Sequence, residues 1–212
     1  MDKVKVVCFD MDGTLITNTN SVEYLCLLSG KIDEVRDVEN REDQGEISWI
    51  EADYIKSKLF TALEVKRVEQ EFERYIKLIN NIEKVINELK SSGIFVILVT
   101  AGPVQVAEVI QKMFKFDKIY GSVYEVENGR FTGRILKHLG DRGKLNSLKS
   151  FCKEHDISLE KVVSVGDSAS DIKIFKESGK SIAINYSSKL LGIADVYIRT
   201  NDLVDIMKHI LG

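Results

Sequence analysis

Val4-Lys5-Val6-Val7-Cys8-Phe9-Asp10-Met11-Asp12-Gly13-Thr14-Leu15 begins as a short, β-branched, almost wholly apolar run and ends on two aspartates and a glycine. A run that short with no polar face reads as a strand buried on both sides, the condition of a parallel sheet. Similar runs return at residues 94–99 (IFVILV), 162–165 (VVSV), 181–184 (SIAI) and 196–198 (VYI). Amphipathic helical stretches separate them, roughly over 81–91, 104–114, 142–155, 169–178 and 203–211. This alternation predicts an α/β fold, a three-layer doubly wound parallel sheet with helices on both faces.

Two segments break the alternation. Residues 16–80 hold no convincing strand and carry helical periodicity among heavy charge, as at Ile47, Ile50, Tyr54 and Leu59. They read as a small helical insertion, so the expected division is a core domain of residues 1–15 and 81–212 and an inserted domain of residues 16–80. The second break, residues 121–135, alternates apolar and polar residues on both sides of Asn128-Gly129, a strong hairpin signal. Pro103, the single proline, is expected in the first turn of the helix after the 94–99 strand.

Charge and composition narrow the class. With 30 basic and 33 acidic residues the net charge is −3, which opposes a nucleic-acid partner, since that needs a basic field. No stretch has the length of a membrane span. Met1-Asp2-Lys3 leads straight into the first strand without signal-peptide features, and Cys8, Cys26 and Cys152 have no metal-clip spacing. A cytoplasmic protein with buried free thiols is the expectation; the oligomeric state is not legible.

In an open parallel sheet, ligands bind beyond the carboxyl ends of the strands. Three strands end on chemistry here: Asp10 and Asp12 after the first, Thr100-Ala101-Gly102 after the second, Asp167 and Asp171 after the third. Four carboxylates brought together repel unless neutralised, and an all-oxygen set suits Mg²⁺. Such a cation screens a phosphate so that a carboxylate can attack it. A second carboxylate two residues on can protonate the leaving alcohol and then deprotonate water. Thr100 and the N–H groups of Ala101 and Gly102, expected free at a helix start, could bind phosphate oxygens. Lys144, in Asp141-Arg142-Gly143-Lys144-Leu145, is the cation expected to stabilise phosphoryl transfer.

The stretch DMDGT, Thr100, Lys144 and GDSASD, each in its strand or helix context, resembles the four motifs of the haloacid dehalogenase superfamily over essentially the whole chain. The resemblance implies a Rossmann-like core with a helical-bundle cap inserted after the first strand. It implies Asp10 as nucleophile, Asp12 as general acid and base, and Thr100 and Lys144 as phosphoryl holders. It implies Mg²⁺ on Asp10, the backbone carbonyl of Asp12 and Asp167, with Asp171 supporting the metal or Lys144. A second motif aspartate implies a phosphatase rather than a dehalogenase.

The finer resemblance is to the phosphoserine phosphatase branch, whose cap and hairpin match residues 16–80 and 121–135. The chain differs from that branch where the substrate amine and carboxylate are held. No acid follows the first motif until Glu23, and Lys56 falls near the position of a carboxylate-binding Arg. Glu23 itself reads as a solvated helix-face carboxylate. The second motif is Thr-Ala-Gly-Pro, and Ser170 replaces an Asn. Lys56 is therefore the candidate specificity residue, and Trp49 and Tyr54 either fill the cap core or face the substrate. His138, His155 and His209 receive no role. The expected partner is a small phosphorylated metabolite, since a cap of this size leaves a closed cavity. Two alternatives share the residues: a phosphotransferase or phosphomutase, and a non-catalytic phosphate-binding module.

Overall fold

The computed structural model describes residues 3–140 and 142–212; Asp141 and the Met1-Asp2 start lie outside them. Strand β1 (Val6–Phe9) sits at the centre of a seven-stranded sheet. It is followed by α1 (Ser21–Leu28), α2 (Ile32–Asp43), α3 (Trp49–Leu59), α4 (Lys66–Gln70), α5 (Phe72–Tyr75) and α6 (Ile82–Ser91). Then come β2 (Phe95–Pro103), α7 (Val104–Phe114), β3 (Lys118–Glu127), β4 (Arg130–Lys137) and α8 (Gly143–Glu154). The chain closes with β5 (Val162–Gly166), α9 (Ile172–Glu177), β6 (Lys180–Ile184), β7 (Val196–Ile198) and α10 (Met207–Ile210).

The strand order is β4-β3-β2-β1-β5-β6-β7, parallel except for the β3–β4 hairpin. Phe9 aligns with Leu98 on one side and Val165 on the other. After β1 the chain builds outward to β2 and β3, then returns to lay β5 on the free side of β1. The order therefore reverses between β1 and β5, and a crevice opens beyond their carboxyl ends.

Alternation of side chains along β1 serves two cores. Val7 and Phe9 join α6, α7 and α10 on one face, while Val6 and Cys8 join α8 and α9 on the other. All three cysteines are free and buried. Among the described residues no helix is long and apolar enough to cross a membrane.

The insertion α1–α5 shares the first of these cores, through Tyr24, Leu25, Phe60 and Phe72. Its two connecting strands of chain meet where Thr17 N donates to Lys77 O and Ile79 N to Leu15 O. The hairpin braces it from the side. Ala62 N donates to Phe131 O, Phe131 N to Leu63 O, and Val65 N to Gly129 O. Phe60 meets the Phe131 ring edge-on at 5.3 Å. The hairpin turn is Asn128-Gly129, both with positive φ (50° and 74°), the twist-matching turn that this dipeptide favours.

Three elements differ from expectation. Pro103 ends β2 instead of opening α7, with φ −60° and ψ 129°. It follows a register shift after Val99, where a residue without an N–H leaves the ladder unharmed. Strand β3 begins before the hairpin, pairing Lys118, Ile119 and Tyr120 with β2 as an extra parallel strand. Its charged first residue hid it from a search for apolar runs. The stretches 169–178 and 203–211 each begin as a 3₁₀ turn before becoming helical.

Candidate active site

Asp10 follows the last residue of β1, and its N–H donates to Val165 O of β5, which pins it over the crevice. The chain then turns at once: Leu15 N and Ile16 N both reach back to Met11 O. Gly13 makes the turn with φ +76°, and a Cβ there would stand 2.1 Å from Asp167 Oδ2. Both the left-handed backbone and the missing side chain are needed for the two loops to touch. Gly13→Ala is expected to lower stability by about 1–3 kcal/mol through this clash and strain. Thermal unfolding measures it; an unchanged Tm would mean that the two loops separate without cost.

Lys144, the second residue of α8, is 1% exposed and reaches under the crevice. Its Nζ donates to Asp10 Oδ1 at 2.7 Å, Asp171 Oδ1 at 2.5 Å and Ser170 Oγ at 3.2 Å. Burial works against a charged ammonium, but Asp10 and Asp171 outweigh it and hold Lys144 above its ordinary value. Asp171 Oδ2 accepts from the N–H groups of Asp167 and Ser168. Both Asp171 oxygens are thus engaged in holding Lys144 and the β5 loop.

Oxygens of Asp10, Asp167 and Asp171 lie within 4.8 Å of one another. Asp167 Oδ1 is buried and has no hydrogen-bond partner, a costly state for a carboxylate oxygen. Burial, then the charge of Asp10, pushes the Asp167 carboxyl up to about 9. Burial pushes Asp10 up to about 6 against the pull of Lys144. An orphaned oxygen among crowded carboxylates, with oxygen the only donor type, fits a hard divalent cation.

Asp12 turns the other way. Its carboxylate accepts from Ser21 N at 2.8 Å and Ser21 Oγ at 2.6 Å, at the start of α1. Burial outweighs these bonds and pushes its carboxyl up to about 7. Ser21 was not foreseen; its only sequence signal is Asn20, which caps α1 together with Glu23.

A cleft of about 600 Å³ opens above this floor. Ala101 and Gly102 line it, but their setting differs from expectation. They lie in the extended end of β2, ahead of α7, and the Gly102 N–H already donates to Thr100 Oγ1 at 2.9 Å. Only the helix-start geometry fails: Thr100 is buried beside them with its own hydroxyl proton still to give.

The opposite wall comes from the helical insertion and includes Glu23, Glu42, Trp49, Asp53 and Lys56. Lys56 is 5% exposed rather than a surface charge. Trp49 lines the cleft, whereas Tyr54 is largely exposed and stacks on the outer side of His138. His138 itself joins core to insertion through Asp53 Oδ2 at 2.9 Å. Its partner is 85 positions away, so nothing local marks it.

Comparison with known proteins gives the same picture. Residues 7–176 match the family model described as haloacid dehalogenase-like hydrolase. A phosphoserine phosphatase of Archaeoglobus fulgidus is 32% identical over 94% of the chain, which spans 58% of that protein. One of Methanocaldococcus jannaschii is 29% identical over 98% of each chain. A solved structure of a phospho-aspartyl intermediate analogue of phosphoserine phosphatase superposes with a TM-score of 0.85 at 29% identity, covering 98% of this chain and 99% of that one.

Proposed function

The chain belongs to the haloacid dehalogenase-like hydrolase family, and from that membership we propose that it is a Mg²⁺-dependent phosphatase, hydrolysing a small phosphomonoester through an aspartyl phosphate on Asp10. The observation that carries the reading is the buried Lys144 bridging Asp10 and Asp171 beside the orphaned Asp167 oxygen.

Asp10 attacks phosphorus with the oxygen that Lys144 does not hold. The P–O bond to the alcohol breaks, and Asp12 gives the leaving oxygen a proton. A carboxyl poised near 7 can do this at neutral pH. Asp12 then takes a proton from water as it attacks the aspartyl phosphate, which frees Asp10 and inorganic phosphate. Thr100 and the Ala101 N–H hold the phosphoryl oxygens, with Lys144 giving up its 3.2 Å bond to Ser170 Oγ to reach one. Asp10, the Asp12 carbonyl and Asp167 would hold Mg²⁺, which supplies the positive charge that lets an anionic nucleophile approach a phosphate. Residues 16–80 act as the cap that excludes bulk water from the reacting atoms.

Hydrolysis of an aryl phosphate with Mg²⁺ tests the reading, and turnover no faster than buffer alone would sink it. Stability offers a second check. Asp10, Asp12 and Asp167 are all raised above the unfolded value of 3.8, Asp167 as far as about 9. The folded chain without metal therefore binds more protons than the unfolded one between those limits, and its stability falls as pH rises through them. The rise in Tm on adding Mg²⁺ should be larger at pH 8.5 than at pH 6, read by thermal unfolding. A rise that is equal or smaller at the higher pH would mean that these carboxylates do not take the cation.

A further inference from the structure

Any ester that sets its phosphorus over Asp10 must turn its alcohol part toward the cap wall, so the charge on that wall selects the alcohol. The wall holds one lysine, Lys56, and its charge is already taken. Its Nζ lies 3.4 Å from Glu39 Oε1 and 3.9 Å from Glu42 Oε2. The second lysine at the cleft, the exposed Lys189 from the core, also faces Glu42.

The acids of the wall are only partly neutralised in turn. Glu23 accepts from Thr19 Oγ1 at 2.6 Å and Asn20 N at 3.3 Å, bonds to the Glu39 carboxyl and feels the Lys56 charge. Among the described residues Asp53 pairs with His138. Gly140 N donates to His138 Nδ1 at 2.9 Å, so the ring proton in this pattern sits on Nε2 and the ring is a neutral donor. Glu23, Glu42 and Asp53 on the lining thus outnumber Lys56 and Lys189. Trp49, whose ring lies 5.4 Å from that of His138, adds an indole to the same wall. Carboxylates and an aromatic face together favour an ammonium group. A carboxylate at the same place would have to draw Lys56 from two acids and accept Asp53 as a neighbour, both unfavourable at low dielectric.

We propose that the substrate is an amino-alcohol phosphate, a phosphomonoester whose alcohol carries an amine cation and no carboxylate, selected by Glu23, Glu42, Asp53 and Trp49. The proposal rests on the phosphatase reading of the same cleft. It departs from a simple transfer of the relatives' phosphoserine, whose serine part carries both charges.

The test compares 2-aminoethyl phosphate, O-phosphoserine and ethyl phosphate on the intact chain with Mg²⁺, with an aryl phosphate as activity control. The expected kcat/KM for 2-aminoethyl phosphate is at least tenfold above each of the others. Phosphoserine equal or better overturns the exclusion of a carboxylate; ethyl phosphate equal or better overturns the selection of a cation. If even the aryl phosphate is not hydrolysed, the phosphatase reading fails separately. Calorimetric titration of the same three esters then reads the selectivity, with the same tenfold order in Kd expected. The Glu39→Gln, Glu42→Gln double variant releases Lys56, and the ratio of 2-aminoethyl phosphate to phosphoserine should fall at least fivefold. An unmoved ratio would mean that the Lys56 pairing does not set it.

Discussion

Asp10→Asn is expected to reduce turnover of an aryl phosphate by at least about four orders of magnitude, the scale on which loss of a nucleophile acts. An amide oxygen next to Lys144 keeps the size and one hydrogen bond of the carboxylate, but it is too weak a nucleophile to form the acyl phosphate. Acid-quenched wild-type protein should carry a covalent phosphoryl group on the peptide containing Asp10, and the variant should carry none. Thermal unfolding of the variant separates an effect on folding from one on chemistry. Burial has pushed the Asp10 carboxyl up to about 6, so its ionisation opposes the folded state above that pH. The variant at pH 8 therefore sets relief of that cost against the loss of one partner of Lys144, and thermal unfolding reads the balance. Near-normal turnover in a folded variant would remove Asp10 from the nucleophile's role.

The largest stability effect belongs to Lys144. Its ammonium is 1% exposed and lies between two carboxylates. Lys144→Met keeps most of the volume but leaves Asp10 and Asp171 facing each other without a cation. Removing one partner of a buried ion pair costs about 3–5 kcal/mol, most of it from the charge left behind. The sign with pH follows from the groups themselves. Lys144 is held above its unfolded value of 10.5, so its contribution is fully present below that pH and is lost as pH rises through the folded value. In acid the deficit of the variant should shrink, because Asp10, freed of the lowering by Lys144, takes its proton more readily than in the wild type and no longer needs the ammonium. Adding Asp10→Asn to Lys144→Met should restore part of the stability, a coupling that denaturant unfolding of the four proteins measures. Additive losses would mean that the two side chains do not share one electrostatic centre.

Much of the core could be read from the chain alone. Strands β1, β2, β5 and β6 are apolar because helices cover both their faces, and such runs are conspicuous. The aspartates that end them are just as visible, since a sheet edge converts positions far apart in sequence into neighbours. β3 escaped because its first residues are partly exposed at the edge and carry Lys118. The assumption that Ala101 and Gly102 begin a helix failed because β2 continues past its apolar run, a matter of register with β3 rather than of residue type.

The cap is where reading stopped. Its helices were legible from periodicity, but not the partners of their charged residues. Glu23 looked solvated and Lys56 looked like surface charge; the fold buries Lys56 against Glu39 and Glu42. Asp53 and His138, and Asp12 and Ser21, meet only because the insertion folds back across the crevice. By itself, then, the sequence determined most of the sheet, the aspartates gathered at its edge and the lysine among them. The aspartates follow from a local pattern repeated at successive strand ends, and the lysine from its place at a helix start. Tertiary structure alone decided the charge of the wall facing them. A lysine's effect on a ligand depends on which carboxylates reach it first, and those distances are set by helix packing.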